Sequence, residues 1–438
     1  MTKHINHSLS PLPCPQSLDD VDLFSAGAQE HWYEAYDILH REAPVHKIAG
    51  EGLSAGTDAF ILCKFEDINT VVKDPARFPP LITLMTDQLL RDNNPVEWER
   101  SNAMVRSMAT LRPTDALYRS HRQELTDPWV GIGSERHRDK VVEFADELID
   151  AWNDDDTVDF IASFARPLPQ RVTAHILGFP AADIDMLADW GTAQVAAFVH
   201  GKGHRNILSQ EQEAAQRVAL AGFDDYIRQA VADKRRAPQE DMISFLTQVH
   251  YQALDRKLDD GEICGVVFAM VLGGLETTQY ALEEQAQLLC ETDGLYAQLR
   301  ENPGKVRSFI EEGMRVRAPT QGLSTRITSQ DEVFQGVQVP AGSLLHLRYG
   351  AANVDADAFS CPHSIDLERK AVTRHLTFSA GPRVCPGAHI SRLEQQIAWE
   401  RLLQRIESME YAPGNTFQHQ DGIMLGTLEL HLNIKKTA

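Results

Sequence analysis

The stretch Phe378-Ser379-Ala380-Gly381-Pro382-Arg383-Val384-Cys385-Pro386-Gly387 limits what this chain can fold into more than any other part of it. It reads as a turn locked by glycine and proline that presents one cysteine and then enters a helix. Gly381 can take backbone angles closed to other residues, and Pro386 stands where the first position of a helix tolerates proline. Gly387 lets backbone approach a large flat partner. Cys385 is therefore expected at a helix start, where unpaired N–H groups and the helix dipole favour a thiolate, as a metal ligand requires. Arg383 adds positive charge and a donor for a carboxylate.

A second stretch breaks local propensity in the same informative way. From about Asp260 to Cys290 the chain reads as one helix, and Val266 to Leu272 is apolar on all sides, hence buried. Gly273-Gly274-Leu275-Glu276-Thr277-Thr278 follows. Two glycines, an acid and two hydroxyls inside a buried helix offer no structural gain, which marks a functional site. Gly273 and Gly274 leave room for a ligand, and Thr277 can bond a backbone carbonyl and distort the helix.

The pattern Phe-x-x-Gly-x-Arg-x-Cys-x-Gly resembles the haem ligand loop of the cytochrome P450 family, and Gly-Gly-x-Glu-Thr resembles that family's oxygen-binding groove. The resemblance runs from about Ala35 to Ile434. It implies a mainly α fold with small β-sheets and a long central helix over haem b (iron protoporphyrin IX), ligated by Cys385. Phe378, Arg383, Gly387, Gly273 and Gly274 would face the cofactor; Thr277 and Glu276 would handle protons during oxygen activation. Bacterial members carry His-x-x-x-Arg on the third helix, with both side chains on haem propionates; here Tyr118 replaces the histidine and Arg122 remains. Arg326 matches a further propionate arginine. Glu312 and Arg315, three apart on one helix face, resemble the family's Glu-x-x-Arg pair and with Arg369 form a structural ion network.

The apolar residues Leu81, Leu84, Met85, Phe198, Val267, Val271, Leu323, Ile423 and Met424 are expected to wall the substrate pocket, the segment 79–113 to be irregular at first and then helical from Val96 to Met108, and the glycines near Gly201 to hinge a lid. Such walls suit a terpenoid, resin-acid-like or steroid-like molecule. The resemblance implies insertion of one atom of O2 into a C–H bond, with electrons from a ferredoxin and its NAD(P)H-dependent reductase. The alternatives are a peroxide-using haem-thiolate enzyme and a noncatalytic haem sensor or electron carrier.

Composition narrows the setting. No linker, repeat or low-complexity run divides the 438 residues, so one haem domain is expected over 35–438, preceded by an N-terminal extension over 1–34. A net charge of -21 argues against nucleic-acid binding. No leader and no membrane-spanning run is legible, and the six cysteines show neither zinc spacing nor a paired framework, which points to the cytoplasm. Docking of an acidic ferredoxin would then need positive charge near the cysteine, for which Arg119, Arg374, His375, Arg383, His389 and Arg392 are candidates.

Overall fold

The computed structural model describes residues 12–92, 103–153, 156–196, 208–322 and 324–437. Its long apolar stretch forms the spine. Asp259 starts that helix in a reciprocal cap: its side chain accepts from the Glu262 N–H at 2.8 Å, and Glu262 accepts from the Asp259 N–H at 3.0 Å. Arg256 closes on both oxygens of Glu262, at 2.8 and 2.7 Å. The expected single helix is two, Asp260–Gly274 and Thr277–Glu291. By length and composition Asp260–Glu291 could cross a membrane, contrary to the sequence reading, but 56% of its apolar window is buried against the rest of the domain. Ile263, Val267 and Val271 are fully buried in the principal core.

A four-stranded sheet flanks this helical body. Val45–Ile48 runs antiparallel to Ala59–Leu62, which pairs parallel with Leu344–Leu347, and the latter pairs antiparallel with Thr325–Ile327. The helix Phe65–Lys73 buries Ile68, Val71 and Val72 in a second core shared with Phe60 and Leu345. Where an irregular segment ahead of a helix over Val96 to Met108 was expected, Leu81–Asp92 is helical as well, and the later helix is described over Ala103–Leu111.

Residues ahead of the first helix, expected as an extension, are built into the domain. Leu23, ahead of the helix Trp32–Glu42, shares a core with Trp32 and Tyr36 of that helix and with Ile61, Cys63 and Ala351. The loop near residue 420 clamps this segment. Asp421 accepts from the Gly27 N–H at 3.2 Å and from Gln29 Nε2 at 3.1 Å, and Glu30 accepts from the His419 N–H at 2.7 Å. His419 lies between Glu30, at 2.9 Å, and Glu284 of the spine, at 3.3 Å.

Candidate active site

The cysteine loop is held by backbone geometry. Gly381 has φ +69°, and a Cβ there would lie 2.8 Å from the Val72 carbonyl oxygen, so the turn packs on the Phe65–Lys73 helix only as glycine. The Cys385 N–H donates to the Phe378 carbonyl at 2.9 Å. The following helix runs Ala388–Arg405 with Gly387 as its cap, so Pro386 precedes the helix instead of opening it. Burial pushes the Cys385 thiol up, opposed by the N–H groups of Gly387 and Ala388 and by the guanidiniums of Arg122 and Arg392. The dipole argument therefore holds in sign but does not outweigh burial; a bound metal cation would favour the thiolate form. Cys63, Cys264 and Cys290 are instead pushed up to about 12, chiefly by burial.

Across the cavity from the loop, the spine is broken where Thr277 Oγ1 donates to the Gly273 carbonyl at 2.9 Å. The two glycines do different work. A Cβ on Gly273 would meet nothing within 4 Å, whereas one on Gly274 would lie 2.6 Å from Thr173 Oγ1. Gly273 thus faces open space, and Gly274, expected beside the cofactor, is a helix-packing glycine. Glu276 bonds Tyr280 Oη at 2.8 Å and accepts from Thr192 Oγ1 at 3.4 Å. Burial raises its pKa, and both hydroxyls lower it again in part.

At one edge of the site Val266, Ala269, Met270, Tyr118, Arg122, Arg112, His121 and Pro386 line a common cavity. Arg122 donates to the Val384 carbonyl at 2.7 Å and to Asp127 at 3.2 Å. Arg383 donates to Asp115 at 3.0 Å, and its guanidinium carbon lies 4.2 Å from the Tyr118 ring centroid. Arg326 is 5% exposed and donates to the Thr325 carbonyl at 3.1 Å. Phe378 lies under the Arg392 guanidinium at 4.4 Å. Sequence reasoning missed Arg112, His121 and Tyr280; the one available signal was an arginine directly after the apolar helix Ala103–Leu111.

The expected substrate wall is only partly in place. Val267 and Val271 point into the core, and Val266, Ala269 and Met270 carry the cavity-facing stripe instead. Leu81 and Leu84 pack on Ala59, Ile327 and Leu344 of the sheet, and Met85 is 57% exposed. Ile423 and Met424 belong to a turn tied to Pro319–Gln321: the Gln321 N–H donates to the Ile423 carbonyl at 3.0 Å and the Leu425 N–H to the Pro319 carbonyl at 2.8 Å. Phe198, Leu323 and the hinge near Gly201 lie outside the described residues. Beneath the loop, Glu312 accepts from Arg315 Nε at 2.6 Å and Arg369 Nε at 2.9 Å, and Arg315 is fully buried.

Haem b fits these residues. Cys385 offers a partly buried sulfur donor, Gly273 on the spine leaves open space where a side chain would stand, and Gly387 is equally unobstructed: a Cβ there would come no nearer than 3.8 Å to its neighbours. The Nε atoms of Arg112, Arg122 and Arg383 are buried without a hydrogen-bond partner, so each guanidinium keeps a donor free for a carboxylate even where Asp127 or Asp115 already pairs with it.

Comparison with known proteins gives the same answer. The family model "Cytochrome P450" matches residues 204–434. The polyketide biosynthesis cytochrome P450 PksS of Bacillus subtilis is 26% identical over 93% of this chain and 97% of its own length. Cytochrome P450 CYP107DY1 of Priestia megaterium is 28% identical over 81% of this chain and 84% of its own. A crystal structure of P450BioI in complex with an acyl carrier protein ligated to hexadec-9Z-enoic acid superposes with a TM-score of 0.78 at 24% identity, covering 93% of this chain and 99% of that one. With more than half of its residues inside that family's pattern, and its cysteine, broken spine and arginine-lined cavity arranged for haem, the chain belongs to the cytochrome P450 family of haem-thiolate monooxygenases.

Proposed function

We propose that this enzyme oxidises a C–H bond of a hydrophobic, terpenoid- or steroid-sized molecule, with O2 and with electrons from an acidic ferredoxin. The observation that carries the reading is the apolar stripe Val266, Ala269 and Met270 on the spine, followed by the open space at Gly273 and only then by the polar Glu276 and Thr277. An apolar body can lie along that stripe while the polar pair stays at one end. When bound, haem would supply the oxidising chemistry, with Cys385 as the thiolate donor that favours O–O cleavage. Thr277, tied to the Gly273 carbonyl, holds the helix open, and burial raises the pKa of Glu276, which favours its protonated form over that of an exposed carboxyl. Retention of both residues favours this reading over a peroxide-using enzyme or a passive haem carrier. A steroid C26-monooxygenase of Mycobacterium tuberculosis is 29% identical over 64% of this chain, which supports the size class.

The donor surface follows from exposure. His375 is buried on Glu311 at 3.0 Å, and Arg392 is held by the same carboxylate at 2.6 Å, so neither is free for a partner. Arg119 and His389 are exposed, and Arg374, also exposed, has a 3.6 Å contact with the exposed Glu66. Absorption spectra of the reduced, carbon monoxide-bound enzyme, followed by spin-state titration with terpenoid and steroid acids, test the reading. A strongly red-shifted Soret band with a low-to-high-spin response supports it; a band typical of neutral-thiol or histidine ligation defeats it. Arg119→Glu with Arg374→Glu should slow reduction by ferredoxin and flatten its salt dependence. Unchanged kinetics would remove the docking assignment.

A further inference from the structure

Four guanidiniums, those of Arg112, Arg122, Arg326 and Arg383, surround Tyr118 and the edge of the cavity. Arg122 has Asp127 at 3.2 Å and Arg383 has Asp115 at 3.0 Å. Among the described residues Arg112 and Arg326 have no carboxylate within ion-pair distance. His121, beside them and 3% exposed, does not add a charge: burial holds its pKa well below the usual value, and Arg112 and Arg122 lower it further. The cluster therefore carries two cations more than its own acids can balance. Burying an unpaired guanidinium is costly unless an anion joins it.

We propose that Arg112 is a haem-binding residue, pairing with one propionate while Arg326 takes the other, and that it supplies the charge lost where Tyr118 stands in the histidine's place. The inference rests on the haem-thiolate reading of the site. The two surplus cations equal the two carboxylates that protoporphyrin brings. Placement follows from the chain: Arg112 ends the Ala103–Leu111 helix, and Thr114, accepting from the Leu117 N–H at 3.3 Å, begins the next. That next helix carries Tyr118, whose ring centroid is 5.5 Å from the Arg112 guanidinium carbon and 4.2 Å from that of Arg383. One aromatic ring thus steadies two like charges that would otherwise separate. Arg112 also lines the cavity that contains Pro386, next to the ligand cysteine.

The test compares haem loss to excess apomyoglobin from the wild type, Arg112→Gln and Arg112→Lys, each loaded with haem or with haem dimethyl ester. Arg112→Gln should release natural haem about tenfold faster, as expected for losing one charge-assisted bond. Arg112→Lys should recover part of that loss. With the ester, wild type and Arg112→Gln should match. The haem-free Arg112→Gln chain should be no less stable to heat than haem-free wild type, because it no longer buries an unpaired cation; a merely structural arginine would give the opposite sign. Equal release of natural haem by wild type and Arg112→Gln would overturn the proposal. So would unchanged haem retention with a tenfold loss of preference for acidic over esterified ligands, which would give Arg112 to a substrate carboxylate. A wild-type chain that takes up haem without a thiolate-type Soret band would defeat the underlying reading itself.

Discussion

The Tyr280 hydroxyl lies 2.8 Å from Glu276 Oε2 and 3.1 Å from Gln420 Oε1, so the site's acid is joined to the loop that clamps the first residues of the domain. Tyr280 is 4% exposed, and its ring fits because residue 426 is glycine: a Cβ there would lie 2.3 Å from the ring. A buried carboxyl with a hydroxyl on one oxygen is fixed in direction, and its readiness to take a proton is set by that contact as well as by burial.

Tyr280→Phe should therefore lower product formed per NAD(P)H consumed roughly threefold to tenfold, less than the ~100-fold expected for removing a proton-transfer group outright. The Tyr280 hydroxyl lowers the Glu276 pKa, so its loss should raise that pKa and move the alkaline limb of the coupling profile to higher pH. Product and peroxide yields across pH measure both.

The two loop glycines separate folding from cofactor binding. Gly381→Ala forces a side chain onto φ +69° and against the Val72 carbonyl, and should cost about 2 kcal/mol or more in the haem-free protein. Gly387→Ala has φ -83° and no close neighbour, so haem-free stability should change by less than about 0.5 kcal/mol while haem occupancy falls. Chemical denaturation and the haem-to-protein absorbance ratio distinguish the two.

Glu312→Ala leaves the fully buried Arg315 without its anion and also removes a partner of Arg369. Breaking a buried pair in this way costs about 3–5 kcal/mol. Thermal unfolding of the haem-free chain should show a loss of that size, and the reduced carbon monoxide complex should shift toward a form with displaced thiolate.

His419 gives the domain an alkaline limit. Burial opposes its charge, but Glu284 and Glu30 together outweigh burial and raise its pKa to about 10. A raised folded pKa contributes stability that is complete below the ordinary histidine value of about 6.5 and is lost as pH climbs through 10. Stability should therefore decline between those limits, and His419→Gln should flatten the decline while costing on the order of 3 kcal/mol near pH 6. Denaturant melts at a series of pH values provide the check.

Residues with narrow physical uses were the most legible in sequence. Gly381, Cys385, Arg122 and Glu312 each stand where one property, a positive φ, a soft ligand or an obligatory charge, leaves few alternatives. The spine was legible as buried but not as oriented. A helix apolar on all sides has no period to say which face meets a ligand, so Val267 and Val271 were chosen where Val266, Ala269 and Met270 face the cavity. Gly273 and Gly274 were indistinguishable until Thr173, a hundred positions away, was seen to touch only the second. The surplus charge of Arg112 depends in the same way on which carboxylates lie near it in space, which no local pattern records.

The clamp between Glu30 and His419 joins residues 389 positions apart. Synthesis proceeds from the first residue onward, so the Glu30 segment leaves the ribosome long before its partner exists. Until residues 419–421 emerge, Leu23 and Trp32 can settle on the early sheet, but Glu30 lacks its histidine and Gly27 its carboxylate. The first part of the domain therefore waits on nearly the whole of translation, and a chain interrupted before that loop would present an unfastened, partly apolar segment to chaperones and proteases.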